Sequence, residues 1–182
     1  MKQQVIPVEH DDAIPSQKCT ATQHYNSGCK LMRQSLLTEA QLEFSAALEL
    51  EPNFYEALNN LGICLKRSAR YDDAIVYLAR AVSIAPEISK GHFNYGCALS
   101  CLSFYQQALS EFELSLATDP NDYQAHYMLA SAAAILGKSQ IAITHVFKAL
   151  KLAPLSFECH TGCFYTVALL FCNVFVKLFK RQ

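Results

Sequence analysis

Apolar residues recur every three or four positions along most of the chain, the spacing that places them on one face of an α-helix. Between residues 55 and 84 the pattern predicts two amphipathic helices, one over about 55–68 and the other over about 71–84. Neither helix can cover its own apolar face, so the two are expected to pack as a hairpin. The hydrophobic pattern therefore indicates an all-α protein assembled from helix pairs.

This helix-pair pattern returns every 34 residues. Four prolines mark the period, each just after a predicted second helix, where proline prevents the helix from continuing: they are Pro52, Pro86, Pro120 and Pro154. Small residues repeat at the same interval in the columns Gly28, Gly62, Gly96, Ala130 and Ala40, Ala74, Ala108, Ala142, and larger ones in the column Phe44, Leu78, Phe112, Val146. Short side chains let helices approach to about 8–10 Å. The period therefore predicts four units, 21–54, 55–88, 89–122 and 123–156.

With small, aromatic or aliphatic, and proline positions at these offsets, residues 21–156 resemble the tetratricopeptide repeat family. The resemblance implies an α-α superhelix of stacked helix hairpins with a concave side. It also implies a scaffold or adaptor that binds other proteins, and not an enzyme. Residues 157–182 depart from the repeat and are expected to form one apolar C-terminal helix.

Asparagine repeats two residues before the glycine column, at Asn26, Asn60 and Asn94, whereas the fourth unit has Met128. A carboxamide both donates and accepts, so it can bind the N–H and C=O of one peptide unit together. The ladder resembles the peptide-binding repeats of the O-linked N-acetylglucosamine transferase, which implies that these asparagines contact an extended peptide on the concave wall. The alternative is that they are tolerated on an exposed face or bond to a neighbouring repeat.

Further residues are expected beside this ladder on the concave wall. The set comprises Tyr25, Asn59, Phe93, Tyr127 and Lys90. Repeat domains that clamp the acidic tails of heat-shock chaperones use five Lys, Asn and Arg positions, and this chain matches them only at Asn60 and Lys90. That is too little positive charge to hold a terminal carboxylate by charge-assisted pairing. We therefore expect a protein or peptide ligand recognised mainly through its backbone.

Histidines and cysteines also recur, and both invite a metal interpretation. The histidine column is His24, His92, His126 and His160. Because neighbouring units lie about 10 Å apart, single histidines would rarely converge at the ~2.1 Å that zinc requires, so packing with a local hydrogen bond is expected. Cys97 and Cys101, like Cys159 and Cys163, are four apart, but no paired zinc spacing accompanies them. We expect no metal and no cofactor.

Composition narrows the function further. Fifteen basic and 16 acidic residues give a charge near zero, which disfavours nucleic acid as a partner. No apolar N-terminal signal directs the eight cysteines to an oxidising compartment, so reduced thiols in a cytoplasmic or cytosol-facing protein are expected. No phosphate loop or nucleophile elbow is present. The alternative is a regulatory repeat portion of a larger enzyme, such as a glycosyltransferase.

Both ends of the chain lie outside the period. Residues 1–20 show no sustained pattern and are expected to form a mobile arm. The 18 residues 159–176 carry no formal charge and would span about 27 Å as a helix, close to the thickness of a membrane core. Three interpretations stay open: a helix packed on the last repeat or on a partner, a tail anchor in an organelle membrane, or the continuation of a longer array.

Overall fold

The computed structural model describes residues 15–154, with side chains from residue 20 onward. Eight α-helices occupy this part of the chain, and no strand occurs among the residues described. They are α1 (Pro15–Arg33), α2 (Leu37–Leu50), α3 (Tyr55–Arg67), α4 (Tyr71–Ile84), α5 (Ser89–Cys101), α6 (Tyr105–Thr118), α7 (Tyr123–Ile135) and α8 (Ser139–Leu152). The all-α prediction is confirmed, and the two helices predicted over 55–84 match α3 and α4 to within one residue.

Helix α1 begins at Pro15, inside the range 1–20 that the sequence pattern assigns to an arm. Proline suits the first position of a helix because its φ is already helical and its missing N–H would have no partner there. Residues 1–14 lie outside the described part of the chain, and so do residues 155–182, including the apolar run 159–176.

Each hairpin closes through the same turn. The second residue after the first helix adopts a left-handed conformation, with φ of 64° at Ser35, 58° at Ala69, 63° at Ser103 and 72° at Gly137. The next N–H then bonds to a carbonyl five residues back, as from Arg70 to Leu65 at 2.9 Å. This bond identifies a Schellman motif, which ends the first helix and reverses the chain.

The repeat columns form the core. The column Ala40, Ala74, Ala108 and Ala142 is completely buried, as are Phe44, Leu78 and Phe112, while Val146 is 4 % exposed. In each of the first three repeats the glycine column meets the large residue of the second helix. A β-carbon built on Gly96, for example, would lie 2.7 Å from Phe112 Cε1. The small residues are therefore required by the close approach of the two helices.

Contacts between repeats show which way the array curves. The first helices of neighbouring repeats touch one another, as α3 does α1 and α5. In the described chain no such contact joins the second helices. Because the first helices crowd together, they form the inner layer of the array. The side of these first helices that faces away from the second helices therefore lines the concave wall of the array.

Candidate functional site

Three asparagines of the inner layer are joined into a hydrogen-bonded chain that crosses two repeat boundaries. Asn94 Nδ2 donates to Asn59 Oδ1 at 3.0 Å. Asn59 Nδ2 reaches Asn60 Oδ1 at 3.5 Å, and Asn60 Nδ2 reaches Tyr25 Oη at 3.5 Å. We call these four residues the amide network. It links α5, α3 and α1, so the polar groups of three successive repeats act as one unit.

The bonds of this network differ in strength. The Asn94–Asn59 bond has an ordinary length, whereas both bonds of Asn60 are at the outer limit for a hydrogen bond. Asn60 Nδ2 also lies 3.5 Å from the sulfur of Cys29, which is a weak acceptor. A ligand group could replace the long bonds of Asn60 at little cost, but it would have to compete with a well-made bond at Asn94 Nδ2.

Tyr25 closes the network at the first repeat. Its ring is half-buried, with centroids 5.1 Å from Phe54 and 6.0 Å from Phe44. Burial, followed by the hydrogen bond with Cys29, raises the pKa of Tyr25 to about 12. The phenol therefore stays protonated at neutral pH. It serves as a fixed neutral acceptor for Asn60 and not as a charged group.

The remaining predicted residues occupy different depths of the wall. Asn26 and Lys90 are exposed. Phe93 is half-buried with its ring centroid 6.0 Å from that of Phe112, so part of its ring belongs to the core. Tyr127 is half-buried and packs against the cluster of Ala130, Val146 and Ala149. Met128, which interrupts the ladder, is half-buried and packs against the large cluster of repeats three and four.

The structure adds partners that the columns did not predict. Two hydrogen bonds of the inner layer join residues 35 apart, the long one from Asn60 to Tyr25 and the shorter one from Asn94 to Asn59. This separation is the repeat period plus one residue, and it marks positions that face each other on neighbouring first helices. Alignment by the period alone compares equivalent residues and does not show which non-equivalent ones touch. A search at 35 residues would have found both pairs.

The three described histidines of the column make hydrogen bonds within their own repeats, as predicted, and His160 lies outside the described residues. His24 Nδ1 lies 2.8 Å from Glu43 Oε2, and His92 Nδ1 lies 2.7 Å from Glu111 Oε2. In the fourth repeat the partner is another histidine, with His126 Nδ1 2.9 Å from His145 Nδ1. All three pairs are 19 residues apart and join the first helix of a repeat to its second.

Metal ligands and reactive thiols do not gather within residues 15–154. No group of three or more His, Cys, Asp or Glu side chains there could hold an ion. Cys64 and Cys97 are buried, and burial raises the pKa of each thiol to about 11. Cys101 is exposed although Cys97 is buried, so this pair does not share an accessible face. The four described cysteines carry free thiols.

A surface groove of about 450 Å³ lies at the hairpin turn of the third repeat, away from the amide network, between Phe104 and Leu136. Among the described helices none combines the length and apolarity needed to cross a membrane. The run 159–176 lies beyond Pro154, outside the described residues, so this finding does not apply to it.

The fold and the inner polar wall define a helical-repeat protein of the α-α superhelix class. Sequence profiles of the tetratricopeptide repeat match residues 43–76 and 96–156, which together make up just over half of the chain. The chain belongs to the tetratricopeptide repeat family. No curated protein matches it in sequence.

Solved structures confirm the architecture. YrrB, described as a repeat protein of this family with an unusual peptide-binding site, is 23 % identical with a TM-score of 0.71, over 85 % of this chain and 76 % of its own. A MamA fragment from Desulfovibrio magneticus RS-1 is 22 % identical with a TM-score of 0.74, over 88 % and 94 %. The first tetratricopeptide repeat domain of Spaghetti (RPAP3), bound to the HSP90 peptide SRMEEVD, is 21 % identical with a TM-score of 0.66. The match covers 69 % of this chain and 98 % of that domain. At these identities the likeness concerns the fold.

Proposed function

We propose that this chain is a protein–protein interaction scaffold that holds an extended segment of another protein against the inner layer of its first helices. The observation that carries the proposal is the amide network, which spans three repeats and is half-exposed on the concave side. Burying no charge and crossing repeat boundaries, it offers neutral hydrogen-bonding groups along the direction in which an extended chain would lie.

Two residues of the inner wall have hydrogen-bonding groups that a ligand could use. Asn26 is exposed and can present both its carbonyl oxygen and its amide N–H groups. Asn94 donates through Nδ2, and its Oδ1 can accept a peptide N–H from a ligand. They stand two repeats apart, a distance of roughly 20 Å if successive helices are spaced by about 10 Å. An extended peptide covers that distance in about six residues.

The charges around the network favour backbone recognition. Glu56 and Lys90 occupy the same repeat position in successive units, and both are exposed. With opposite charges at neighbouring positions, the wall does not present one sign of charge to a ligand. YrrB is described with a peptide-binding site and the Spaghetti domain is bound to an HSP90 peptide, which supports a peptide ligand for this fold. The two-of-five match to the chaperone-tail positions argues against a terminal carboxylate as the main determinant here.

The scaffold is proposed to act without catalysis. Repeat modules of this family are generally non-enzymatic, and the inner wall as described carries amides, aromatic rings and the exposed side chains of Glu56 and Lys90 where an enzyme would need an activated acid, base or nucleophile. Burial raises rather than lowers the thiol pKa of Cys64 and Cys97, which makes them poor nucleophiles.

The test starts with peptides selected from a displayed random library on the wild-type protein. Their affinities are then measured by calorimetry for Asn26→Ala, Asn94→Ala and the control Asn121→Ala, an exposed asparagine in the loop before α7. We expect each inner-wall variant to bind about tenfold more weakly, since one lost hydrogen bond costs about 1.4 kcal/mol. The control should bind like the wild type. If all three variants bind equally well, the inner wall is not the binding surface.

A further inference from the structure

Two equivalent residues on second helices differ sharply in exposure. Leu109 on α6 is 3 % exposed, whereas Ile143, at the same position of α8, is 42 % exposed. Leu109 belongs to a core cluster that includes Ala125 and Leu129 of the next repeat. The first helix of the fourth repeat therefore covers this position of α6, and no described helix covers it on α8.

Two further apolar residues lie on the same side of α8 as Ile143. Phe147 is 68 % exposed, and Leu150 is half-buried. These residues are four and seven positions after Ile143, so the three lie on one side of α8. We call Ile143, Phe147 and Leu150 the terminal face. At the position of Phe147, α6 has Glu113, which is exposed although a repeat follows it, so the contrast between α6 and α8 rests on Ile143.

Earlier repeats show what this face contacts. Val82 occupies the same position on α4 as Leu150 on α8, and it packs against the first helix of the next repeat. A β-carbon built on Gly91 would lie 3.5 Å from Val82 Cγ2. The corresponding Leu116 on α6 is 9 % exposed and clusters with Ala125. This side of each second helix thus receives a small residue from the helix that follows.

We propose that the terminal face of α8 is covered by the segment of this same chain that begins at Phe157. Four residues separate Leu152, the end of α8, from Phe157, as many as separate α6 from α7, so a segment that keeps the repeat register would start beside the face. Its Cys159 falls in the column of Ala57, Gly91 and Ala125, all of which are buried. A small residue therefore occurs where close contact with Leu150 requires one.

The residue in the glycine column supports a single covering helix. In the first three repeats glycine is needed because the second helix of the same repeat places a large side chain within 3 Å of that position. The segment has Phe164 there, and no turn residues divide the run that follows it into two helices. A phenylalanine fits this column when no second helix packs against it. The segment is thus suited to pack by one face on α8.

A cross-link in the full-length chain tests this placement. By the Gly91–Val82 geometry, in which a β-carbon on Gly91 would lie 3.5 Å from Val82 Cγ2, the side chains at positions 150 and 159 would be in contact, as a disulfide requires. Leu150→Cys should therefore form an intramolecular disulfide with Cys159 under mild oxidation, identified by peptide mass mapping of the monomer. Leu114→Cys, on the exposed side of α6, is the matched control and should not link to Cys159.

A second variant keeps the proposal testable if the cross-link perturbs folding. In the full chain, the thiol of Ile143→Cys should react with maleimide about tenfold more slowly than that of Leu114→Cys, because a covered site reacts only after local opening. Equal reaction rates would overturn the proposal. So would a cross-link that forms only between chains, which indicates a second copy on the face, or retention of the protein in carbonate-washed membranes, which indicates an anchor.

Discussion

Gly62 packs against Leu78 so closely that a β-carbon on Gly62 would lie 2.5 Å from Leu78 Cγ. The equivalent position in the fourth repeat is Ala130, and its partner is Val146, a smaller residue than leucine or phenylalanine. The larger first-helix residue thus occurs with the smaller second-helix residue. The methyl group of Ala130 is offset by the smaller side chain of Val146, whereas leucine and phenylalanine both occur opposite glycine.

Gly62→Ala is expected to destabilise the protein. Its methyl group would displace Leu78, and overpacking of this kind costs typically 1–3 kcal/mol. The better helix propensity of alanine returns about 1 kcal/mol. We expect a net loss of up to about 2 kcal/mol, measured as a lower midpoint in urea unfolding.

The fourth repeat supplies the matched control. Gly62→Ala combined with Leu78→Val reproduces the Ala130–Val146 pair, so the double variant should be more stable than the sum of the two single changes predicts. The coupling is obtained from a double-mutant cycle. Strict additivity would show that the contact with Leu78 is not what requires glycine at residue 62.

The fold was largely predictable because its signal is periodic. The prolines from Pro52 to Pro154 and the small-residue columns repeat with the packing they serve, so the hairpins followed from the sequence alone. The bonds between repeats were not predictable in the same way. The Asn59–Asn94 bond joins different columns, and it depends on the rotation between neighbouring first helices, which no single repeat encodes.

The binding residues remain a prediction for a related reason. Exposure of Asn26 and the half-burial of Asn60 agree equally with a ligand contact and with a contact between repeats. The structure shows that Asn60 and Asn94 take part in contacts between repeats. Only a bound ligand distinguishes an asparagine that also binds from one that does no more than join helices.

Ala69→Gly should stabilise the protein. Ala69 has a φ of 58°, where a β-carbon costs about 1–2 kcal/mol relative to the ordinary helical region. Glycine avoids that strain but adds freedom to the unfolded chain, so we expect a gain of about 1 kcal/mol in urea unfolding. Gly137, at the equivalent position with a φ of 72°, provides the converse variant. Gly137→Ala should lose a similar amount, and a gain there would contradict the argument.

Ser115→Ala should also stabilise the protein. The Ser115 hydroxyl is completely buried and has no hydrogen-bond partner, while the equivalent residues Ala47, Ala81 and Ala149 are alanines. A buried polar group without a partner costs about 1–3 kcal/mol, and alanine is in addition the better helix former. We expect thermal unfolding to shift upward by a few degrees. Ser110→Ala, on the exposed side of the same helix, should change the unfolding temperature much less.

Acid should weaken the fourth repeat through His126 and His145. His126 Nε2 lies 3.0 Å from the carbonyl oxygen of Pro120, so it carries the proton that makes this bond. His126 Nδ1 is then an acceptor, and His145 Nδ1 must be the donor across the 2.9 Å contact. The pair therefore has room for one additional proton at His145 Nε2 but not for a second at His126 Nδ1.

Burial lowers the pKa of both rings. For His126 the bond to Pro120 and the charge of Asp122 oppose this shift, while the charge of Lys148 adds to it. For His145 burial, then the neighbouring His126 and Lys148, lower the pKa to about 4. The ordinary value in an unfolded chain is about 6.5. The unfolded state thus binds more protons, so stability is present above about pH 6.5 and falls as the pH drops toward 4.

His145→Glu should reduce this acid sensitivity, because it recreates the histidine–carboxylate pairing of His24 with Glu43 and of His92 with Glu111. A protonated His126 would then face a negative charge instead of a second imidazole. The measurement is the urea midpoint at pH 7.5 and pH 5 for the wild type, for His145→Glu and for Thr144→Glu, which adds the same charge at an exposed neighbour. We expect the midpoint to fall less between the two pH values in His145→Glu than in the other two proteins. An equal fall in all three would show that the histidine pair does not control the response to acid.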